Sequence, residues 1–245
     1  MVKFDWAVKN ERRVLKMSRI PQVSLHNPPV QKDTNIADLA LEAVPTRRER
    51  KAAATRRALF EAGLDAFGRR PFGLVSVLDL TEAVDVAKGV FYLHFKSKDE
   101  FLIELFRDVL ARFLDELLAA LAPVPTRSTR TRAAANQYIV FAAANPSAAR
   151  FLLRMSGYFP DEIGAPCELV RVRTEYRQRL AAALHPPANR SPGEADASTA
   201  AILDSCCWGL IGSALQFGTG LPEEQVMTDV ASFVLRMASH GQRRA

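Results

Sequence analysis

The sequence is poor in cysteine and histidine, the residues on which most metal and thiol chemistry depends. Of 245 residues, only three are cysteine and four are histidine, and they lack the paired spacing of a metal site. Cys206 and Cys207 are adjacent in an apolar stretch, and Cys167 stands apart. Reduced, buried thiols are the simplest interpretation, and a thiol-based redox sensor is the alternative. We therefore predict no metal and no cofactor.

Motifs of the common enzyme classes and of membrane proteins are also missing. The sequence has no G-x-S-x-G, no glycine-rich phosphate loop of the Walker or Rossmann type and no H-E-x-x-H. It has no run of about 18 apolar residues, and its N-terminus lacks the basic and then apolar order of a signal peptide. We predict a cytoplasmic protein that is not an enzyme and has no membrane partner. The histidines are scattered, at His26, His94, His185 and His240.

The composition is that of a globular, basic protein. Hydrophobic residues make up 48% of the chain, enough to bury a real core, and the net charge is +6. A positive excess favours an anionic partner, although many ordinary soluble proteins carry one of this size. The position of the charge is more informative. Basic residues flank one segment on its N-terminal side: Arg47, Arg48, Arg50, Lys51, Arg56, Arg57, Arg69 and Arg70.

The segment 76–98 reads as two short helices joined by a tight turn. Ser76 and Asp79 have the spacing of an N-cap and its reciprocal partner. The first helix has an inner face predicted from Val77, Leu78, Leu80, Ala83 and Val84. In the second helix Val86, Val90 and Phe91 point inward, which leaves Ala87, Lys88, Tyr92 and His94 outside. Such a mixed surface suits contact with a phosphate backbone.

Residues 55–102 resemble the N-terminal DNA-binding domain of the TetR family of transcriptional regulators. The similarity is carried by an Ala/Phe-rich first helix ending at Phe67-Gly68, by the helix-turn-helix, by the run Phe91-Tyr92-x-His94-Phe95 and by the Ser97-Lys98-Asp99-Glu100 entry into the next helix. The resemblance implies an all-α fold that binds double-stranded DNA. It implies that Ala87, Lys88, Gly89 and Val90 lie in the major groove and that Ser76, Tyr92, His94 and Lys98 contact phosphates. We expect Arg47, Arg48 and Arg50 to add backbone or minor-groove contacts.

Two positions depart from the family's usual pattern. Asp85 stands where the turn usually has glycine, and Asp is among the residues that best tolerate the left-handed region. Val90 stands where a polar residue is common, so we expect an apolar contact with a thymine methyl group there. The alternative for Tyr92 and His94 is packing against the first helix.

Capping residues and hydrophobic spacing predict an all-α chain, and the family resemblance implies the roles of its parts. Residues 1–45 are predicted to be a disordered extension. The resemblance implies that 46–97 are the helix-turn-helix DNA-binding domain and that 98–241 are a helical ligand-binding and dimerisation domain. Thr46 with Glu49 and Ser97 with Glu100 are predicted capping boxes, and Gly68 a left-handed helix stop. The predicted helices are 46–67, 98–121, 129–144, 147–158, 167–184, 197–217 and 222–239, with a loop over 185–195.

The N-terminal extension has three possible interpretations. Arg12, Arg13, Lys16 and Arg19 would make a basic arm in the minor groove. Otherwise the extension is a disordered leader, or part of it is coding sequence upstream of a true start at Met17.

Aromatic residues in the second half are candidates for lining a ligand cavity, although any of them can equally be plain core. The set is Phe106, Leu110, Phe113, Tyr138, Phe141, Phe151, Met155, Tyr158 and Tyr176, with Phe159 nearby. The helix predicted over 197–217 is apolar almost all round, with Asp204 its only charge, and the final helix has one apolar face. We expect this pair to form a four-helix dimer interface through Trp208, Ile211, Leu215, Val230, Phe233 and Met237; closing a monomeric core is the alternative.

The sequence thus predicts a homodimeric, ligand-responsive transcriptional regulator. We expect a repressor on a roughly palindromic operator, with an activator as the open alternative. A small apolar or amphipathic effector would shift the helix 98–121 and change the separation of the two recognition helices. The competing hypothesis is an all-helical small-molecule-binding or scaffold protein whose helix-turn-helix no longer reads DNA.

Overall fold

The protein is described by a computed structural model over residues 46–155, 168–185 and 194–241. These residues form helices joined by turns, with no strand among them, and the predicted all-α fold is confirmed. A 3-10 turn over Phe72–Leu74 precedes the second helix. The helices are α1 Arg47–Arg69, α2 Val77–Glu82, α3 Lys88–His94, α4 Lys98–Leu121, α5 Arg127–Ala144, α6 Pro146–Leu153, α7 Glu168–Leu184, α8 Glu194–Phe217 and α9 Glu224–Gly241.

Helix α1 begins where the sequence predicts but does not end there. The Thr46 amide donates to Glu49 Oε2 at 2.7 Å and the Glu49 amide to Thr46 Oγ1 at 3.2 Å, so this capping box is confirmed. The left-handed stop at Gly68 is wrong, because the helix continues to Arg69 and positive φ among the described glycines occurs only at Gly218 and Gly220. A Cβ added at Gly68 would lie 3.3 Å from the Ser147 carbonyl oxygen, which indicates that glycine lets α6 approach closely.

The helix-turn-helix has the predicted cap and the predicted turn. The Ser76 amide donates to Asp79 Oδ2 at 2.7 Å, and the Asp79 amide to Ser76 Oγ at 3.1 Å. Asp85 has φ of 53°, the left-handed conformation expected at the turn. The inner face is only partly as predicted. Leu80 is buried, but Leu78 is 50% exposed and Ala83 is also exposed, since neighbouring helices cover one side of α2 only.

Helix α4 has the predicted bounds, Lys98–Leu121. Ser97 Oγ accepts from the Glu100 amide at 3.0 Å, as a helix cap should. The return half of the predicted capping box is wrong: the Glu100 carboxylate accepts from the Lys96 amide. The inward side of α4 is entirely buried, from Phe101 to Leu121.

The remaining helices differ from prediction mainly at their ends. Helix α5 begins at Arg127, because Thr126 and Thr129 make a capping box. Helix α6 begins at Pro146, one residue before the predicted start, and α8 begins at Glu194, inside the predicted loop. The stretch Asp196–Phe217 is long and apolar enough to cross a membrane, with mean hydropathy 1.3, but it packs against α5, α7 and α9. We therefore interpret it as a core helix.

A continuous set of phenylalanine rings connects the two halves of the described chain. Phe101 of α4 contacts Phe91 and Phe95 of the helix-turn-helix, with ring centroids 5.4 and 4.8 Å away. On its other side lies Phe67 of α1, at 6.1 Å, which in turn lies 6.4 Å from Phe151 of α6. One hydrophobic core therefore runs from the helix-turn-helix into the C-terminal helices.

Several sequence predictions lie outside the described residues. These are the extension 1–45 with its arm residues Arg12, Arg13, Lys16 and Arg19, the end of the helix predicted over 147–158, the candidate ligand residue Tyr158 with Phe159, the cysteine Cys167 and most of the 185–195 loop.

Candidate nucleic-acid interface and effector core

The N-terminal end of α3 is open on its outer side. Ala87, Lys88 and Gly89 are exposed, and a Cβ added at Gly89 would have no atom within 4 Å. Tyr92, one turn further, is 51% exposed, while Phe91 is buried and meets it edge to face. Val90 and His94 are half-buried. The structure thus brings the predicted α3 residues together on one helix with an unobstructed N-terminal end.

The other predicted DNA contacts lie at the starts of helices. Arg47, Arg48 and Arg50 are exposed in the first turn of α1. Ser76 caps α2, and its amide and hydroxyl lower the pKa of Asp79. Since this pKa is lowered on folding, the cap is intact at neutral pH and is lost as the pH falls through that lowered value.

Lys98 is engaged within the protein. Its Nζ donates to the carbonyl oxygens of Phe72 and Val75, both at 2.9 Å, and lies 4.1 Å from the centroid of the Phe72 ring. An ammonium group has three N–H donors, so one remains for a phosphate. The phosphate contact stays a prediction, and the structure adds a second role: Lys98 ties α4 to the loop between α1 and α2.

We expect Lys98→Met to lower the free energy of unfolding by about 1–3 kcal/mol, because two partly buried carbonyl oxygens would lose a charged donor. Lys96→Met is the matched control, since that side chain is 93% exposed. Urea denaturation of both variants measures the difference. Equal stability of the two variants would contradict this role.

Sequence reasoning missed three exposed leucines around the helix-turn-helix. Leu93 in α3 is 82% exposed, Leu74, just before α2, is 70% exposed, and Leu78 in α2 is half exposed. The outward position of Leu93 was available from the sequence, because it falls between Tyr92 and His94 on a helix that buries Phe91 and Phe95.

Arg56 joins α1 to α4. Its guanidinium lies 5.1 Å from the Phe60 ring centroid and 4.7 Å from that of Phe95, and it pairs with Glu104. Cation–π contacts of this kind stabilise by about 0.5–2 kcal/mol. In the sequence Arg56 was only one of several flanking charges.

The predicted ligand-lining residues that the structure describes are buried and packed ring against ring. The ring centroid of Phe113 lies 4.8 Å from those of Tyr138 and Phe141, and the centroid of Trp208 lies 5.4 Å from that of Tyr138. Grooves open on either side of α4 instead. One, about 470 Å³, lies against α1; the other, about 430 Å³, lies against α7 and is lined by only two of the predicted residues, Leu110 and Tyr176.

A buried polar cluster, which we call the Asp204 network, crosses this core. The Tyr138 hydroxyl donates to Asp204 Oδ1 at 3.1 Å and lies 3.0 Å from the Tyr176 hydroxyl. Because Tyr138 gives its only proton to the carboxylate, Tyr176 must donate to Tyr138. Arg177 Nε donates to Asp204 Oδ2 at 2.9 Å, and Arg173 lies 3.6 Å from the same oxygen.

Burial raises the pKa of both tyrosines well above 10, so both hydroxyls stay protonated at neutral pH. The sequence offered Asp204 as the only charge of its helix but did not reveal these partners. Elsewhere in the described chain, no three His, Cys, Asp or Glu residues are grouped as a metal ion would require.

Two of the six predicted interface residues do not lie on the outer surface of α8 and α9. Trp208 and Ile211 are 1% and 0% exposed within a single chain, because Trp208 packs against Phe113, Tyr138 and Phe141 and Ile211 belongs to the same hydrophobic core. Leu215 and Val230 are half-buried, whereas Phe233 and Met237 are 47% and 49% exposed. An outer seam, in steps of four and three residues, comprises Ile202, Cys206, Gly209 and Ser213 on α8 with Val226, Val230, Phe233 and Met237 on α9.

Comparison with known proteins identifies the helix-turn-helix. Residues 59–105 match the sequence model of the family "Bacterial regulatory proteins, tetR family". This stretch is a tetR-family DNA-binding domain. The uncharacterized HTH-type transcriptional regulator YwcC of Bacillus subtilis (strain 168) is 34% identical over 73 residues, which are 27% of this chain and 33% of that protein. The similarity therefore spans about a third of the relative's length.

Solved structures share the all-α arrangement of a tetR-type domain followed by a helical bundle. The fatty acid degradation regulator FadR of Bacillus halodurans is 14% identical, with TM-score 0.59 over 74% of this chain and 94% of its own. FadR of Bacillus subtilis, solved with stearoyl-CoA, is 12% identical, with TM-score 0.57 over 73% and 96%. A TetR family regulator from Marinobacter aquaeolei VT8 is 14% identical, with TM-score 0.57 over 77% and 96%. At these identities the likeness concerns the fold.

Proposed function

We propose that the protein is a homodimeric, effector-responsive transcriptional repressor that acts in the cytoplasm on a roughly palindromic operator. The observation that carries this proposal is the exposed N-terminal end of α3, with Lys88 and Gly89, in a tetR-family domain. A helix presented in this way enters the major groove, where phosphate contacts position it and base edges are read. Under this proposal, residues 46–97 are the DNA-binding domain and residues 98–241 are the effector-binding and dimerisation domain. An enzymatic activity has no support in the family match.

Gly89→Ala tests whether the N-terminal end of α3 contacts DNA. The added methyl group meets nothing within the protein, so the fold should be unaffected or stabilised by up to about 1 kcal/mol. In the groove it would occupy space that the helix needs, and we expect binding to weaken about tenfold, which corresponds to about 1.4 kcal/mol. Fluorescence anisotropy with a duplex selected from random DNA by the wild-type protein measures this, and thermal unfolding reports the fold.

A salt series completes the test. Lys88→Gln should reduce the slope of log affinity against log salt by up to about one, because the variant carries one positive charge fewer at the DNA and releases fewer counterions on binding. Arg132→Gln, an exposed arginine on α5, should leave the slope unchanged. If Gly89→Ala binds DNA as well as the wild type does, α3 does not enter the groove. A folded protein with no specific DNA binding would instead favour the helical ligand-binding or scaffold alternative.

The proposed dimer forms through the outer seam of α8 and α9. A sustained four-and-three spacing is the pattern by which helices interdigitate in four-helix bundles. Gly209 and Ser213 would let helices approach closely, and Phe233 and Met237 supply exposed apolar surface. A dimer would place two recognition helices on two half-sites.

Phe233→Asp should convert the dimer to monomers at micromolar concentration, because each interface would bury two unpaired carboxylates. Val140→Asp on α5 is the control, since its side chain is 55% exposed outside the seam. Light scattering gives the masses. A second measurement is the rate of maleimide labelling of Cys206, in proteins with Cys167 and Cys207 replaced by serine. Labelling should be faster in the Phe233 variant, because Cys206 lies in the seam that the proposed dimer covers. An unchanged mass would exclude this seam as the interface.

The proposed effector is a small apolar or amphipathic molecule bound in the α4–α9 bundle. Support comes from fold neighbours, one of which was solved with stearoyl-CoA. Phe101 connects α4 to the helix-turn-helix, so a displacement of α4 would be transmitted to α3. Linkage then requires that effector weaken DNA binding by the same factor by which DNA weakens effector binding.

A further inference from the structure

The groove between α4 and α7, which we call the α4–α7 groove, combines an apolar floor with a cationic rim. Leu110, Leu114 and Val172 form the floor and are nearly fully buried. Its volume of about 430 Å³ falls within the range of small-molecule sites in proteins. The rim consists of Arg107, Arg171, Arg179 and one acidic residue, Glu175.

The rim carries more positive than negative charge. Arg107 and Arg171 both pair with a single carboxylate, that of Glu168, and Arg171 also lies 3.8 Å from Glu175 Oε1. Arg179 has no ion pair with any carboxylate of the described residues. The groove therefore has three guanidinium groups at its rim. Two carboxylates partly balance them, that of Glu175 at the rim and that of Glu168 beside it. Guanidinium groups recognise carboxylates and phosphates through paired N–H donors.

The inner end of the groove leads to the Asp204 network. Tyr176 lines the groove, and its hydroxyl lies 3.0 Å from that of Tyr138, which donates to Asp204 on α8. The Tyr176 proton is already directed to Tyr138, so this residue offers an acidic group no free donor. The preferred place for a negative charge is consequently the arginine rim, and the floor remains for an apolar body.

We propose that the α4–α7 groove binds an amphipathic organic anion, with its apolar body on Leu110, Leu114 and Val172 and its acidic group against Arg107, Arg171 and Arg179. The inference rests on the proposed effector function and gives the effector a chemical class. A carboxylate and a phosphate share this chemistry. Neutral and cationic amphiphiles of the same chain length are excluded as good ligands.

Equilibrium dialysis with labelled octanoate, octan-1-ol and octyltrimethylammonium, on the full chain without DNA, tests the charge requirement. Octanoate should bind most tightly. Arg179→Gln should weaken octanoate binding about fivefold, the upper range for a solvent-accessible ion pair. Glu175→Gln should strengthen it about twofold, because it removes the opposing charge at the rim. Arg132→Gln on α5 should change neither. Octyl phosphate in place of octanoate separates the two acidic groups.

The outcomes separate this inference from the regulator proposal. Equal binding of octanol and octanoate, or octanoate affinity that is insensitive to both rim substitutions, would overturn the inference even if DNA binding is confirmed. No saturable binding of either octanoate or octyl phosphate would also overturn it. Conversely, binding with the expected charge dependence in a protein that binds no DNA would keep the groove assignment and reject the regulator.

Discussion

Asp204→Ala is expected to lower the free energy of unfolding by roughly 3–5 kcal/mol, the cost of breaking a buried charge pair from one side. The carboxylate is almost completely buried and accepts from the Tyr138 hydroxyl and Arg177 Nε. Without it, a half-buried guanidinium loses its counter-charge and a fully buried hydroxyl loses its acceptor. Urea denaturation at one fixed protein concentration measures the loss, because dimerisation would link stability to concentration.

Two variants calibrate that result. Asp108→Ala breaks an exposed pair with Arg112, four residues away on α4, and should cost less than about 0.5 kcal/mol. Tyr138→Phe removes one hydroxyl and should cost about 1 kcal/mol. A loss at Asp204 no larger than that at Asp108 would mean that the Asp204 network contributes nothing to the stability of the core.

Phe101→Ala is expected to cost about 3–5 kcal/mol, the range for removing a fully buried phenylalanine ring. The ring lies 4.8 Å from that of Phe95 and 5.4 Å from that of Phe91, so its loss leaves a cavity beneath α3. We expect DNA affinity to fall together with stability. Leu118→Ala is the control on the same helix, since that side chain is 38% exposed.

The two readouts can be compared at a temperature where both variants remain folded. Circular dichroism establishes that temperature, and anisotropy then gives the DNA affinity. If Phe101→Ala is as stable as Leu118→Ala, the ring cluster does not anchor the helix-turn-helix. If stability falls while DNA affinity at low temperature is unchanged, α3 holds its position without this ring.

Features of the fold that depend on neighbours in sequence could be predicted from the sequence. The Thr46 and Ser76 caps each involve residues three apart, and the left-handed turn at Asp85, which the family resemblance implied, is closed by hydrogen bonds within residues 81–86. Such local hydrogen bonds have the same energetic reason in any tertiary context. For the same reason the bounds of α4 were predicted fully, because a cap at Ser97 and a long apolar repeat agree.

Features that depend on what packs from elsewhere could not be predicted. Gly68 resembles a helix stop, but its role is the close approach of α6, some 80 residues later. Trp208 and Ile211 lie on a helix that is apolar all round, and periodicity cannot tell which apolar side meets the core and which meets a partner chain. The partners of Asp204 come from α5 and α7, so their hydrogen bonds leave no pattern in the sequence.

The phenylalanine core that connects α1, α4 and α6 has a consequence for building chimeric regulators. If 46–97 binds DNA and 98–241 binds an effector, as proposed, exchanging the first part between proteins would change the operator that is bound. Here a DNA-binding part transplanted at Ser97 would lose the native contact of Phe67 with Phe151 and the close fit of Gly68 against Ser147. A working graft must therefore keep the side of α1 that faces α6 as part of the recipient and exchange only the outward-facing residues of α2 and α3.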